Sequence, residues 1–275
     1  MGTTEEVLKK LRKSQEKVAG RVNSYIANPE DTDNVHDART SLRKLDAAIS
    51  LMPKKFRRAN SNYVDAYRQF FKANSRIRDC DVIRERIGGP ANAPVLKELE
   101  TRRKSEVSRA IKLARALEAQ PLAIRRTSIP DSKTKDRIEK VIRRLEKKVK
   151  KLLPEVLADE RKVEELHSLR KDCKKLRYAL DVLPGDLRKD HESRLVENLE
   201  EMDLAVDRRK KPEEVLRELQ DLLGDIHDSD ITIEYLAKSK ASDARRLLPV
   251  EKEKRAQLFG KLVEYCNKAP RASAK

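Results

Sequence analysis

Two stretches of this chain carry the same reactive residue types at the same spacing. Val35-His36-Asp37-Ala38-Arg39-Thr40-Ser41-Leu42-Arg43-Lys44-Leu45 aligns without gaps on Leu166-His167-Ser168-Leu169-Arg170-Lys171-Asp172-Cys173-Lys174-Lys175-Leu176, and the shared pattern is His-x-x-Arg-x-x-x-(Arg/Lys)-Lys-Leu. Arginine presents a planar fork of donors to anionic oxygens and lysine a mobile point charge, so a mixed row can follow an irregular polyanion. Farther on, Arg78-Asp79-Cys80-Asp81-Val82 matches His227-Asp228-Ser229-Asp230-Ile231. Each half therefore owns a basic segment followed by an Asp-x-Asp, which reads as an internal duplication. The two motifs are 43 residues apart in the first half and 61 in the second, with the extra 18 falling in the charged stretch around 186–211.

A helix advances about 100° per residue, which turns the repeated pattern into a surface. On that wheel His167, Arg170, Lys171, Lys174, Arg177 and Tyr178 share one arc of about 120°, while Leu166, Leu169, Cys173, Leu176, Leu180 and Leu183 fill the neighbouring, core-facing arc. In the first copy His36, Arg39 and Arg43 take the cationic places, and Val35, Leu42, Leu45 and Ile49 the apolar ones. A solvated helix face ordinarily alternates sign at i, i+4, whereas the second copy's arc holds no acid. Its clustered like charges repel, and an external anion would relieve them. Two such helices facing each other would make a basic groove.

The elements that must position these residues are helices. Only 7 Gly and 11 Pro in 275 residues leave too few turns for a sheet-rich fold, and apolar residues recur at helical spacing almost throughout. Predicted helices run from Thr3 or Thr4, as N-cap, to Asn28-Pro29; from Asp31-Thr32 to Met52-Pro53; over 56–87, with core aromatics Phe56, Tyr63, Tyr67, Phe70 and Phe71; and from Pro94 to Ala119. A loop with Pro121 and the turn Ser128-Ile129-Pro130-Asp131 leads to a second set over 134–153, 159–183, 187–206, 212–239 and 243–267, with breaks at Pro154, Pro184-Gly185, Lys211-Pro212 and Leu248-Pro249. The expected domains are two helical bundles, residues 1–128 and 129–275.

Composition narrows the partner. With 64 Lys and Arg against 47 Asp and Glu the net charge is +17, so the natural partner is an anion. No apolar run approaches the roughly 20 residues that span a bilayer, which argues against a membrane protein. Met1-Gly2-Thr3-Thr4-Glu5-Glu6 lacks the marks of a secretory signal or a myristoylation site, and Cys80, Cys173 and Cys266 are odd in number and far apart. Both features predict a cytoplasmic location.

Other chemistries fit less well. The histidines His36, His167, His191 and His227 have no histidine or cysteine partner at metal-ligand spacing, and an Asp-x-Asp on a helix splays its carboxylates by about 200°. Those carboxylates are expected to orient His or Arg, or to cap a helix, so no cofactor or metal is expected. Gly88-Gly89-Pro90 is not followed by the Gly-Lys-Ser/Thr of a phosphate loop, and no enzyme is predicted. Nucleic acid is the alternative ligand, but 4% aromatic residues and no Trp give little to stack bases on. If His36 and His167 donate to a bound anion, they should favour the imidazolium form and strengthen binding as pH falls.

The residues themselves point to a family. His167-x-x-Arg170-Lys171-x-x-Lys174-x-x-Arg177-Tyr178 followed by Leu223-Gly224-x-x-His227-Asp228-x-Asp230 resembles the CHAD family, the conserved histidine α-helical domain, and the resemblance covers nearly the whole chain. It implies an all-α fold of two helical bundles related by a pseudo-twofold, with a basic groove or cavity between them, that binds inorganic polyphosphate non-catalytically. The implied contacts are His36, Arg39, Arg43, Lys44, Arg76, Arg78, His167, Arg170, Lys171, Lys174, Lys175, Arg177, Tyr178 and His227. The expected partner is polyphosphate, with or without the Mg²⁺ it carries, at polyphosphate granules or free in the cytoplasm; weak nucleic-acid binding is compatible with it. Many relatives are fused to a triphosphatase tunnel with Glu-x-Glu-x-Lys on a strand; here Glu251-Lys252-Glu253-Lys254-Arg255 ends in Arg within a helical pattern, so that hydrolase is not expected. Asn74 and Ser75 stand where the second copy has Leu223 and Gly224.

Overall fold

Helix-forming periodicity sets the secondary structure. The structure, a computed structural model, describes residues 2–120, 129–200 and 212–267, and every regular element among them is helical. These are α1 (Thr3–Ala27), α2 (Thr32–Leu51), α3 (Lys54–Ala59), α4 (Ser61–Ile87), α5 (Ala93–Glu118), α6 (Asp131–Ala158), α7 (Val163–Val182), α8 (Gly185–Glu200), α9 (Pro212–Lys238) and α10 (Ala244–Asn267), with one 3₁₀ turn at Pro90–Asn92. No helix among the described residues is long and apolar enough to cross a membrane. The loop at Pro121 and the end of the helix predicted over 187–206 lie outside the described residues.

Four local expectations are corrected. The aromatic helix predicted over 56–87 is divided at Asn60, whose side chain donates to Phe56 O at 2.9 Å, the local competition that makes Asn a helix interrupter. Pro154 lies inside α6 and Pro249 inside α10. Buried neighbours carry the helix past each proline: Leu153 and Val156 in α6, Glu251 in α10. The fourth concerns α1, which is capped by neither Thr3 nor Thr4. Its N-cap residue is Gly2, and the carboxylate of Asp131 accepts from the backbone N–H of Thr3 at 3.1 Å and of Thr4 at 2.9 Å. A Cβ on residue 2 would run into that carboxylate, which would have to swing aside and loosen the cap.

The chain forms two compact units. The first comprises residues 1–139 and 235–247. In it α4 packs along α5 and α1 along α2, with α2 against α4 and α1 against α5. Its interior contains Val7, Leu11, Leu42, Leu45, Phe70 and Ile77, and Tyr25 meets Phe70 at 5.3 Å between ring centroids. Residues 235–247 are tied in by polar contacts: Ser239 donates to Glu98 at 2.8 Å and Arg246 to Asn92 at 2.6 Å, while Asp243 accepts from the Val95 N–H at 3.4 Å.

The second unit comprises residues 140–234 and 248–275, of which 201–211 and those past 267 are outside the description. Its core joins Val149, Leu153 and Val156 of α6, Leu166, Leu169 and Cys173 of α7, Leu219, Leu223 and Ile226 of α9, and Leu262 and Cys266 of α10. The apolar arc expected on the repeated helix is thus buried. Burying Leu-sized side chains stabilises by about 1.5–3 kcal/mol each. All three cysteines are free and buried, and burial pushes the Cys173 and Cys266 thiols up to about 12.

Candidate polyanion-binding site

In the second unit, α7 presents the motif and α9 holds it in place. Burying Leu166, Leu169, Cys173 and Leu176 leaves one orientation for the helix, with His167, Arg170, Lys174 and Arg177 partly exposed and Lys171 and Lys175 exposed. His167 Nε2 donates to Asp230 Oδ2 at 2.9 Å. That bond fixes the tautomer, leaving Nδ1 as an acceptor on the neutral ring and a donor only when the ring is protonated. His227 stands edge-on to His167, with centroids 4.5 Å apart.

Arginine positions are set in the same way. Arg170 Nη2 lies 3.8 Å from Asp228 Oδ1, and Arg177 donates from Nε to Gln220 Oε1 at 2.9 Å while its guanidinium lies 4.7 Å from the centroid of the Tyr178 ring. Tyr178 itself is buried. Lys175 and Lys148 both approach the buried Asp172, at 3.8 and 3.4 Å. Lys171 is exposed and has no ion pair among the described residues.

These cations act on His227. Burial first, then the charges of Arg170, His167, Lys174 and Lys171, push its pKa down to about 2, so it is neutral near pH 7. Its Nδ1 is buried without a hydrogen-bond partner.

The first unit arranges its copy differently. His36 on α2 is exposed, and its Nε2 lies 3.4 Å from Thr40 Oγ1. Partial loss of hydration, then Arg78, hold its pKa below the usual histidine value; Arg39 and Arg43 add to this against the opposing charge of Asp37. The guanidinium groups of Arg39 and Arg43 lie 5.9 and 5.5 Å from the Phe71 ring centroid, a shared cation–π platform. Arg78 pairs with Glu85 through two bonds of 2.9 and 3.3 Å, Arg76 with Glu106 at 3.4 Å, and Lys44 is exposed.

A matched pair of arginine clamps, not anticipated from the sequence, underlies the two sites. Arg103 on α5 donates from Nε to Asp81 at 2.7 Å and from Nη2 to Glu30 O at 2.9 Å, and its Nη1 meets the Glu30 carboxylate. Arg255 on α10 donates from Nε to Asp230 at 2.8 Å and from Nη2 to Glu160 O at 2.8 Å, with Nη1 3.8 Å from the Glu160 carboxylate. In each unit the second Asp of the Asp-x-Asp takes one Arg from the following long helix of its own unit, and that Arg grips the loop before the motif helix. The carboxylates therefore orient Arg in both units, and His in one. The legible signal was an Arg 22 residues after Asp81 and 25 after Asp230. Phe71 and Gln220, which stand at matching positions relative to the Asp-x-Asp, were also not anticipated as cation holders.

The string Glu251–Arg255 lies within α10, where Glu251 accepts from Ser229 Oγ at 2.6 Å. Two cavities of 420 and 260 Å³ beside Tyr63 and Gln120 are lined by no motif residue, and no cluster of three or more metal-binding side chains occurs among the described residues.

Comparison with known proteins follows the same lines. No curated protein matches the chain significantly. Among solved structures, the CHAD domain from the plant Ricinus communis is similar, with a TM-score of 0.53 at 15% identity, over 98% of this chain and 93% of that one. At that identity the likeness concerns the fold. A sequence profile of the CHAD domain matches residues 5–237, and by that span the protein belongs to the CHAD domain family.

Proposed function

We propose that this chain binds inorganic polyphosphate without transforming it, through the cationic faces of α2 and α7. The observation that carries the reading is the α7 face. Its two arginines are held on α9, by Asp228 and Gln220, while Lys171 projects into solvent with no ion pair among the described residues. A polyphosphate bears about one charge per internal unit and offers no bases to stack, so its recognition reduces to a line of donors, and release of its counterions supplies much of the affinity. The proposal includes the duplication and the groove it implies, lined by α2 and α7. Its support is the paired motif and the two arginine clamps with the same three contacts. In this reading His36, His167 and His227 act as donors or spacers rather than nucleophiles.

The test is competition at one fixed, near-physiological salt concentration. Labelled polyphosphate should be displaced by unlabelled polyphosphate at far lower charge equivalents than by DNA or RNA, and log affinity should fall with log salt. Equal displacement by nucleic acid would leave general polyanion binding in its place.

A further inference from the structure

A second row of positive charge, outside the repeated motif, lies on α6. Every exposed residue between 140 and 151 is Lys or Arg, and the only acid in that stretch, Glu146, is buried. Within it Lys140, Arg144, Lys147 and Lys151 follow the i, i+4, i+7, i+11 spacing of one helix stripe, about 60° wide and about 16 Å long. None of these four has an ion pair among the described residues. Some exposed cations elsewhere are matched, as in Arg12–Glu5 at 3.6 Å, Arg21–Asp37 at 2.9 Å and Lys104–Glu100 at 3.7 Å, whereas on α6 four in one stripe are not. Like charges at i, i+3 and i, i+4 destabilise a helix, so an unrelieved stripe of this kind is a standing cost that a bound anion removes.

We propose that this outer face of α6 is a second polyphosphate-binding surface, on a helix that carries none of the repeated motif. The stripe is lined by no aromatic side chain to stack a base. It has no apolar wedge for a lipid surface either, since the one large hydrophobic residue standing exposed among the described residues is Val250 on α10. A base-free oxyanion chain fits what remains. The identity of the ligand rests on the function proposed above; the existence of the face does not. One consequence is that a long chain is held at more points than the motif alone provides.

The experiment is calorimetric titration of three forms of the full chain with size-fractionated short polyphosphate. Wild type should show two binding events. K140Q/R144Q/K147Q/K151Q should lose one of them and keep the affinity of the other within about threefold, and the Glu series at the same positions should do the same with helicity intact. R39E/R43E/K174E/R177E should keep the event that the α6 variant loses. Wild-type stoichiometry in both α6 variants, or a uniform drop in affinity without loss of an event, would overturn the inference, the latter leaving only a long-range field. If the motif variant binds as wild type does while the α6 variants lose an event, the α6 face stands and the motif placement falls. A DNA oligonucleotide or anionic vesicle that reproduces the α6 event when polyphosphate does not would overturn the ligand assignment.

Discussion

The two copies of the basic motif use different means to hold similar charges. In the second, α9 supplies hydrogen bonds: Asp230 fixes His167, Asp228 approaches Arg170 and Gln220 fixes Arg177. In the first, Arg39 and Arg43 stand over the ring of Phe71, and His36 is exposed beside Thr40. The substitutions behind this are legible by register. Thr40 stands where the second copy has Lys171, and Asp46 where it has Arg177; Asp46 is occupied by the hydroxyl of Tyr67. A cation–π platform holds a guanidinium over a broad area, whereas a carboxylate or amide holds it at a point. The second copy has its histidine fixed by a carboxylate and no acid on its arc, whereas the first has its histidine beside a hydroxyl and Asp46 where the second has Arg177, so the first is the less charged.

The clamps beneath the copies give the strongest way to break this comparison. Arg103 and Asp81 are 4% and 0% exposed, so Arg103→Ala takes the nearest cation from a buried carboxylate, leaving it Arg84 Nη2 at 3.7 Å, and should cost about 3 kcal/mol of unfolding free energy. Arg255 and Asp230 are 12% and 8% exposed, and Arg255→Ala should cost less, about 2 kcal/mol. Denaturant midpoints of the two variants decide the order; an equal loss would mean that both clamps are equally desolvated.

Affinity should separate the copies next. Arg170, Lys171 and Arg177 changed to Gln should weaken polyphosphate binding about tenfold more than Arg39, Arg43 and Lys44 changed to Gln, a difference of about 1.4 kcal/mol. Equal losses at one salt concentration would erase the asymmetry.

Histidine titration sharpens the contrast by pH. His227 has a folded pKa far below its unfolded value, so the unfolded chain takes up a proton first as pH falls. The stability this provides is present above about pH 6.5 and is lost below it, with a slope no steeper than about 1.4 kcal/mol per pH unit. Between pH 7.5 and 5.5 wild type should lose about 1 kcal/mol more than His227→Gln does. A parallel pH profile in the variant would show that the ring is not desolvated. His36 is lowered as well in the free protein, so any gain in anion affinity from its protonation should continue below the ordinary histidine value before it levels off.

The smallest expected effect is at Gly224, inside α9. A Cβ there meets only Arg170 Nε, at 3.9 Å, an ordinary contact. Gly224→Ala should stabilise the chain by about 0.5–1 kcal/mol and leave binding within twofold. A loss of stability would mean that α9 cannot accept even a methyl group beside Arg170.

What could be read from the sequence was what depends on neighbours along a helix. The burial of Leu166, Leu169, Cys173 and Leu176 and the exposure of Lys171 follow from 100° per residue. What could not be read depends on residues brought together from far along the chain. Asp131 capping α1, Arg103 reaching Glu30 and Arg255 reaching Glu160 have no local period to betray them. Pro154 and Pro249 misled for the same reason, because packing outweighs the local penalty that makes proline a helix breaker. Tyr178 shares the cationic arc by its angle on the wheel and is a ligand contact by the family resemblance, yet its ring is buried, with the Arg177 guanidinium over it.

The docking of residues 235–247 onto α5 makes the first unit discontinuous, and this sets the order of events during synthesis. At about 5–20 residues per second the ribosome finishes α1–α5 many seconds before it delivers Ser239, Asp243 and Arg246. Until then Asn92, Glu98 and the Val95 N–H wait without these partners. The nascent first unit is thus held one piece short of closure while the first segment of the second unit, residues 140–234, emerges, and its final locking reports that translation has passed residue 247.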